Sequence, residues 1–378
     1  MADDRGQRLM KDGLDRAALQ RLAEALRGAE PSFDSRAFLR RAMRGLKGME
    51  LKERVRHAVC ALGAYLPGDF TDARAVVLAA GAAFPEGDPD DPLRGFAAWP
   101  LIDWVAERAT PEHTDDLDAA LEALRALTPL FTAEFAVRPF LLLDTERTMA
   151  HVEAWATDAN PAVRRLASEG IRPRLPWAAR LPMFQRDPRP VLRVLERLKD
   201  DPAETVRRSV ANNLNDIAKD HPDRIVKIAR RWSKGASEER AWVIRHATRS
   251  LVKQGHPGVL SVLGFTGAPK LDVELTLEPR RLQLGGALQL KVQLRSTARR
   301  IQRLVVDFAV HHRKANGALA PKVFKLRTLA LSPGESVTIA KAHAIRPIST
   351  RRYYPGEHAV ELLVNGEARA RAVFELRL

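Results

Sequence analysis

Asp158-Ala-Asn-Pro-Ala-Val163-Arg164-Arg165-Leu-Ala167 returns, altered but recognisable, as Asp201-Pro-Ala-Glu-Thr-Val206-Arg207-Arg208-Ser-Val-Ala211, with the two valines 43 residues apart. Each copy starts with Asp and a Pro close behind, which suits a helix start, and each continues with apolar residues at helical spacing. Ser209–Pro222 (SVANNLNDIAKDHP) recurs more loosely as Ile244–Pro257 (IRHATRSLVKQGHP), 35 residues on, and Glu53-Arg-Val55-Arg56-His-Ala58 is an earlier relative of the same helix. A period of 35–43 residues built on paired helices is the mark of a HEAT-like solenoid, whose units stack so that equivalent positions line one face. An ordinary helical bundle is the competing reading.

Outward from these repeats the helical pattern extends to the start of the chain. Leu14, Ala18, Leu19, Leu22 and Leu26 keep helical spacing, as do Val55, Ala58, Val59, Leu62 and Tyr65. Pro67-Gly68-Asp69, Pro85-Glu86-Gly87 and Thr110-Pro111 read as turns between helices. In the other direction the period changes after Gly255–Pro269. Leu271, Val273, Leu275 and Leu277 alternate with polar residues, as do Leu288–Leu294, Leu304–Val310 and Val360–Val364, and Asn316-Gly317, Pro333-Gly334, Pro355-Gly356 and Asn365-Gly366 separate such runs. Six to eight short strands in about 110 residues make a β-sandwich. Tyr353-Tyr354-Pro-Gly-Glu-His-Ala-Val360 has the look of a tyrosine corner before a late strand of an immunoglobulin-like sandwich. The expected architecture is therefore a mainly α, HEAT-like domain over residues 1–265 followed by an all-β immunoglobulin-like domain over 266–378.

The 378 residues carry 62 Lys and Arg against 47 Asp and Glu, a net charge of +15, and 45% of them are apolar. The apolar fraction excludes general disorder, and a lone Cys60 excludes a disulfide framework, a zinc ribbon or an iron–sulfur site. The start of the chain lacks the pattern of a signal peptide and no apolar run is long enough for a membrane span, so a cytoplasmic protein is expected. Charge is segregated: residues 1–150 sum to −5, 151–256 to +9 and 270–378 to +11. A basic surface confined to the later part of the chain suits a polyanion; a merely solubilising surface is the plainer alternative.

Residues 131–250 place polar groups where solenoid packing does not ask for them. Glu134 stands in the apolar stretch Phe131–Phe140, Glu169 stands beside arginines and Trp177 in Leu166–Ala178, and Asp216 follows Asn212, Asn213 and Asn215. The carboxylates are 35 and 47 residues apart, about one repeat each, so they are expected to converge on one cleft. Each also has a bland reading: Glu134 paired with Arg138, Glu169 with Arg165 or Arg172, Asp216 on a solvated face with Lys219 and Asp220, and Trp177 as a packing residue. The histidines show no metal-ligand spacing, and no phosphate-cradling glycine loop or nucleophile motif occurs, so no metal or cofactor is expected.

The segments FAVRPFL (Phe135–Leu141), LASEGIRPRLPWA (Leu166–Ala178), VRRSVANNLNDIAKDHP (Val206–Pro222) and WVIRHATR (Trp242–Arg249) resemble the AlkC branch of the HEAT-like bacterial DNA alkylation-repair glycosylases, some of which carry an immunoglobulin-like C-terminal domain. The resemblance implies excision of N-alkylated bases, chiefly 3-methyladenine and 3-methylcytosine, from double-stranded DNA without flipping the base into a pocket. It implies that Glu134, Glu169 and Asp216 are the cleft carboxylates and that Trp177 and Arg165 contact DNA near the lesion. Arg164, Arg172, Arg174, Arg207, Arg208, Arg245 and Arg249 are the arginines expected to meet phosphates, and the basic sandwich is expected to clamp the duplex; a monomer is expected. A non-catalytic HEAT adaptor for DNA or protein is the main alternative, and a membrane- or surface-associated binding protein is disfavoured.

Overall fold

A computed structural model describes residues 9–109, 116–348 and 351–378; the turn expected at Thr110-Pro111 lies outside them. The chain forms sixteen α-helices followed by eight strands among those residues, a helical array and then an immunoglobulin-like sandwich, as the periodicities require. It divides into two compact units, Met1–Ile217 and Ala218–Leu378, whereas helix gives way to strand between Val262 and Leu271.

In the first unit the repeats seen in the sequence build the same local structure twice. The Asp158 carboxylate accepts from the backbone N–H of Asn160 at 2.8 Å, and Asp201 accepts from that of Ala203 at 2.9 Å. Both Asp side chains thus hold the turn that launches a helix, Pro161–Glu169 in one repeat and Glu204–Ile217 in the next. Six residues after each Asp, an arginine folds back onto that turn: Arg164 Nη1 donates to the carbonyls of Asp158 and Ala159, and Arg207 Nη1 to those of Asp201 and Pro202. The arginines also tie repeat to repeat, since Arg125 grips Asp158 at 2.6 Å and Arg164 grips Asp201 at 2.6 Å. Val163, Leu166, Val206 and Val210 face inward and are buried, so one face of each helix supplies the core while the capping network fixes its start.

The second unit begins with helices Pro222–Trp232, Glu238–Ala247, Arg249–Lys253 and Pro257–Val262. Then come β1 (Leu271–Glu278), β2 (Arg281–Gln283), β3 (Ala287–Ser296), β4 (Gln302–Arg313), β5 (Leu319–Leu331), β6 (Ser336–Ala344), β7 (Gly356–Val364) and β8 (Glu367–Arg377). They form a three-stranded sheet, β1-β3-β6, and a five-stranded sheet, β2-β8-β7-β4-β5. Strand β3 alternates buried and exposed residues as one face of a sandwich must, and Leu288, Leu290, Phe308, Val360 and Phe374 pack together in the core. Strand β4 breaks this rule: Val305, Asp307 and Ala309, on its outer face, are buried too. The chain after the last helix runs along this face, with Thr266 N–H donating to the Arg303 carbonyl at 3.0 Å and Asn365 Nδ2 to the Thr266 carbonyl at 2.6 Å.

Two glycines set how closely that packing comes. Gly366 closes the Asn365-Gly366 hairpin between β7 and β8 with φ +81°, and a Cβ there would stand 2.0 Å from Cα of Gly255. The obstacle is backbone, which cannot rotate away. Gly366→Ala is expected to cost roughly 2–5 kcal/mol from overpacking and left-handed backbone strain together, visible as a lower melting temperature of the second unit.

The sandwich core also holds buried histidines. His358 is fully buried and His312 is 6% exposed, and their rings meet edge to face. Burial and the neighbouring Arg351, whose Nη1 lies 2.7 Å from His312 Nε2, push the His312 pKa down to about 3; burial also lowers His358 and His343. A depressed histidine pKa means that the folded state holds the neutral ring. The stabilisation is complete above the ordinary value of 6.5 and is lost as pH falls from there toward 3. Melting temperatures of the second unit are therefore expected to fall steadily below pH 6.5, and a flat profile down to pH 4 would contradict this assignment.

Candidate active site

The three carboxylates picked out in the sequence come together in the first unit. The helix Pro161–Glu169 ends on Glu169, and Arg165, Glu169 and Arg172 follow one another at i, i+4 and i+7 along its face and into the loop beyond. On the helix Glu204–Ile217, Ser209, Asn213 and Asp216 have the same spacing. The two helices pack face to face through small side chains: Ser209 Oγ lies 2.9 Å from Ser168 Oγ, and Asn213 Nδ2 donates to the Ser168 carbonyl at 2.8 Å. Two larger residues at these contacts would hold the backbones apart, so Ser168 and Ser209 set the spacing that lets acid and base meet.

The result is a chain of alternating charge. Glu134 Oε2 accepts from Arg165 Nη2 at 2.8 Å, and Arg165 also approaches Glu169 at 3.9 Å. Glu169 Oε1 accepts from Arg172 Nη1 at 2.6 Å, and Arg172 Nη2 and Nε both donate to Asp216 Oδ2, at 2.8 and 2.9 Å. Three acids and two bases leave these five groups with a net charge of −1, and the buried guanidinium of Arg138 adds a further cation to their field. Side-chain exposure is 12% at Glu134, 7% at Glu169 and 4% at Asp216, so the charges interact through protein more than through water. Burial works against the Arg172 charge, but Glu169 and Asp216 outweigh it and hold its pKa above the ordinary value.

The carboxylates differ in what remains open. Glu169 is engaged at both oxygens, because Ser209 Oγ donates to Oε2 at 2.6 Å. Glu134 uses Oε2 for Arg165 and for Thr132 Oγ1 at 3.0 Å, and its Oε1 has no partner among the described residues. The pairing of Glu169 with Arg172 raised by the sequence is present, while the solvated face suggested for Asp216 is not, since that residue is 3% exposed. The Glu134–Arg138 pair does not form either. Arg138 is 2% exposed and donates instead to the carbonyls of Gly170 at 2.8 Å, Arg172 at 3.0 Å and Ala179 at 2.9 Å. It is the internal brace of the loop after Glu169, and burial together with the nearby Arg172 pushes its pKa down to about 10.

That loop carries Trp177. Its backbone sits at φ +64°, a region that L-residues with large side chains rarely adopt, and 61% of its surface is exposed. Lys52 reaches across from the helix Leu51–Leu62 to donate to the Trp177 carbonyl, with its ammonium 5.1 Å from the ring centre of Phe135. An exposed tryptophan held by Lys52 on a braced, strained loop is not a packing residue. Among the described residues no hydrogen bond or ring contact joins the indole to the carboxylates directly.

The arginines divide into classes that the sequence could not separate. Arg164 and Arg207 serve the capping network, Arg172 is the centre of the acid–base chain, and Arg165 bridges Glu134 and Glu169. Arg208 is exposed and pairs with Glu204 one turn back, and Arg174 is half-buried. Arg245 is exposed and Arg249 half-buried in the second unit. Thr132, Arg138, Ser168, Ser209 and Lys52 belong to the site and were not anticipated. Only the i, i+4 and i+7 spacing of Ser209 with Asn213 and Asp216 hinted at any of them. Among the described residues no cluster of His, Cys, Asp and Glu is arranged to hold a metal ion, and no helix is long and apolar enough to cross a membrane.

Comparison with known proteins supplies a context for this geometry. Residues 96–251 match the family model of the DNA alkylation repair enzyme, and residues 272–378 match that of the C-terminal Ig-like domain of the uncharacterised protein YhaZ. YhaZ of Bacillus subtilis (strain 168) is 33% identical over 369 residues, 97% of this chain and 99% of YhaZ. The solved structure of Pseudomonas fluorescens alkylpurine DNA glycosylase AlkC, bound to DNA containing an abasic site analog, superposes with a TM-score of 0.90 at 38% identity, covering 98% of this chain and 100% of that one. With both ends of the molecule matched over nearly their full length, the chain belongs to the AlkC branch of the DNA alkylation repair enzymes, helical-repeat proteins with a C-terminal immunoglobulin-like domain.

Proposed function

We propose that this protein is a DNA glycosylase that removes positively charged N-alkylated bases, 3-methyladenine and 3-methylcytosine, from double-stranded DNA, working as a cytoplasmic, DNA-associated monomer. The convergence of Glu134, Glu169 and Asp216 on one buried chain with Arg165 and Arg172 is the observation that carries this reading. A base methylated at N3 is already cationic and needs no general acid to leave. As its glycosidic bond stretches, positive charge grows on the sugar. A carboxylate about 4 Å away, at an effective dielectric near 20, favours that charge by on the order of 4 kcal/mol. Glu134, with a free oxygen, and Asp216 supply this field and orient the attacking water; Glu169, saturated by Arg172 and Ser209, keeps the other two in place as well as adding its charge.

Trp177 presses its ring on the lesion or its sugar, a cation–π contact of about 1–2 kcal/mol when water is excluded. Arg165 steadies Glu134 and meets the DNA at the lesion. The carboxylates are held inside a network of arginines, and the base is attacked where it lies, without flipping. Residues 1–265 form the catalytic array and 266–378 the basic clamp, with Arg174, Arg208, Arg245 and Arg249 as phosphate contacts; Arg164 and Arg207, committed to the repeat framework, act on DNA through that framework. The test is to incubate the purified protein with methylated DNA and separate the released bases by chromatography. Free 3-methyladenine and 3-methylcytosine are expected. DNA binding with no released base would instead make the protein a non-catalytic adaptor.

A further inference from the structure

The second unit contains a site that the carboxylate chemistry does not use. A cavity of about 620 Å³, within the 300–1,000 Å³ usual for small-molecule sites, opens between helix and sheet. Its sheet wall follows from strand geometry. Arg303, Val305 and Asp307 are alternate residues of β4 and share its outer face, and β5 sets Thr328 opposite Val305 and Lys325 opposite Asp307. The helical wall adds Arg245 and Lys253 to apolar Val252 and Leu263.

Two features mark this cavity as built to take a ligand. First, cations outnumber acids: Arg245, Lys253, Arg303 and Lys325 line one cavity with no carboxylate at ion-pair distance among the described residues, and Asp307, whose charge acts on Lys253 and Lys325, is the one acid of the lining. Secondly, its wall contains a carboxylate that is 5% exposed. Its Oδ1 has no partner among the described residues, and burial raises the Asp307 pKa against the opposing pull of Lys253, the Leu326 backbone N–H and Lys325. A buried acceptor without a donor costs about 1–3 kcal/mol. Such a group is kept where a ligand brings the donor.

The ligand must then carry negative charge for the rim, an N–H donor for Asp307 and an apolar body for the surface between them. We propose that this cavity binds a nucleoside 5′-monophosphate, its phosphate among the rim cations and its base N–H edge on Asp307, either free or as one nucleotide of a DNA strand.

Calorimetric titration of the full-length protein with 5′-dGMP, deoxyguanosine and inorganic phosphate tests this without any excision assay, so its result is independent of the glycosylase reading. 5′-dGMP is expected to bind at least about tenfold more tightly than either part. Asp307→Asn is expected to weaken 5′-dGMP and not phosphate, while Arg303→Ala and Lys325→Ala weaken both; the melting temperature of each variant checks that it is folded. Displacement of 5′-dGMP by unmodified duplex assigns the site to a nucleotide of the strand, and its retention assigns a free nucleotide. Absence of saturable binding up to about 5 mM, 5′-dGMP no tighter than phosphate, or folded variants that bind like the parent would each overturn the proposal.

Discussion

Asp216→Asn and Glu169→Gln are each expected to slow release of a cationic base by on the order of a thousandfold, while leaving affinity for DNA that carries an abasic-site analogue nearly unchanged. The magnitude follows from the field: about 4 kcal/mol of attraction at 4 Å corresponds to about three powers of ten in rate. Both substitutions keep size and remove one negative charge. Each takes one negative charge out of the Glu134–Arg165–Glu169–Arg172–Asp216 chain, and the cation forming on the sugar loses the attraction of that carboxylate. Because Asp216 accepts two bonds from Arg172, asparagine keeps an acceptor there but leaves a buried guanidinium without that counter-charge, at a stability cost of several kcal/mol. Melting curves must therefore accompany the rates. Glu134→Gln is expected to fall less, by about tenfold to a hundredfold, since its partner Arg165 is 30% exposed and water screens that end of the chain. Single-turnover excision on methylated DNA decides the matter. Rates within about tenfold of the parent for folded Asp216→Asn would remove the electrostatic explanation. The same field predicts selectivity, because an uncharged alkylated base has neither a good leaving group nor an acid to protonate it.

How much of this was legible beforehand depends on the range of the signal. The repeat of Asp158–Ala167 as Asp201–Ala211 was readable because a turn, a cap and an apolar face recur within a dozen residues, and each fixes local geometry. The β-sandwich was readable for the same reason, through period-two alternation and the Asn-Gly and Pro-Gly turns. The gathering of Glu134, Glu169 and Asp216 followed from the stacking of repeats. Partner choice was not legible. Arg164 and Arg165 are neighbours in sequence, but successive side chains on a helix point about 100° apart, so one meets the preceding turn and Asp201 while the other meets Glu134. Arg138 entered only in the bland alternative, as an i, i+4 partner of Glu134, because local spacing was the available rule. Its carbonyl partners, 32 to 41 residues away, exist only once the loop has folded over it. The burial of Asp307 was invisible for a related reason: alternation places it on an outer face, and only the helices of the same unit cover that face.

Arg138→Met is the substitution expected to cost the first unit most stability, about 3–6 kcal/mol, because it removes a donor from two buried carbonyls and one partly buried carbonyl in one step. Methionine keeps the length of the side chain but cannot donate. The carbonyls of Gly170, Arg172 and Ala179 must then stay unsatisfied or turn to water, and the second course opens the loop that positions Trp177 and Arg172. Trp177 already holds an unfavourable backbone conformation that Arg138 and Lys52 together enforce. With the brace gone, relaxation of φ from +64° to the ordinary negative range is downhill, so the indole leaves its place. Lys52→Met removes the outer tie alone and leaves the inner brace intact. It is expected to leave the melting temperature nearly unchanged while slowing excision, whereas Arg138→Met lowers both. If Arg138→Met melted like the parent, the loop would be held by its apolar contacts at Ile171, Leu175 and Leu181, and the buried guanidinium would have to be explained by its field on Glu134, Glu169 and Asp216.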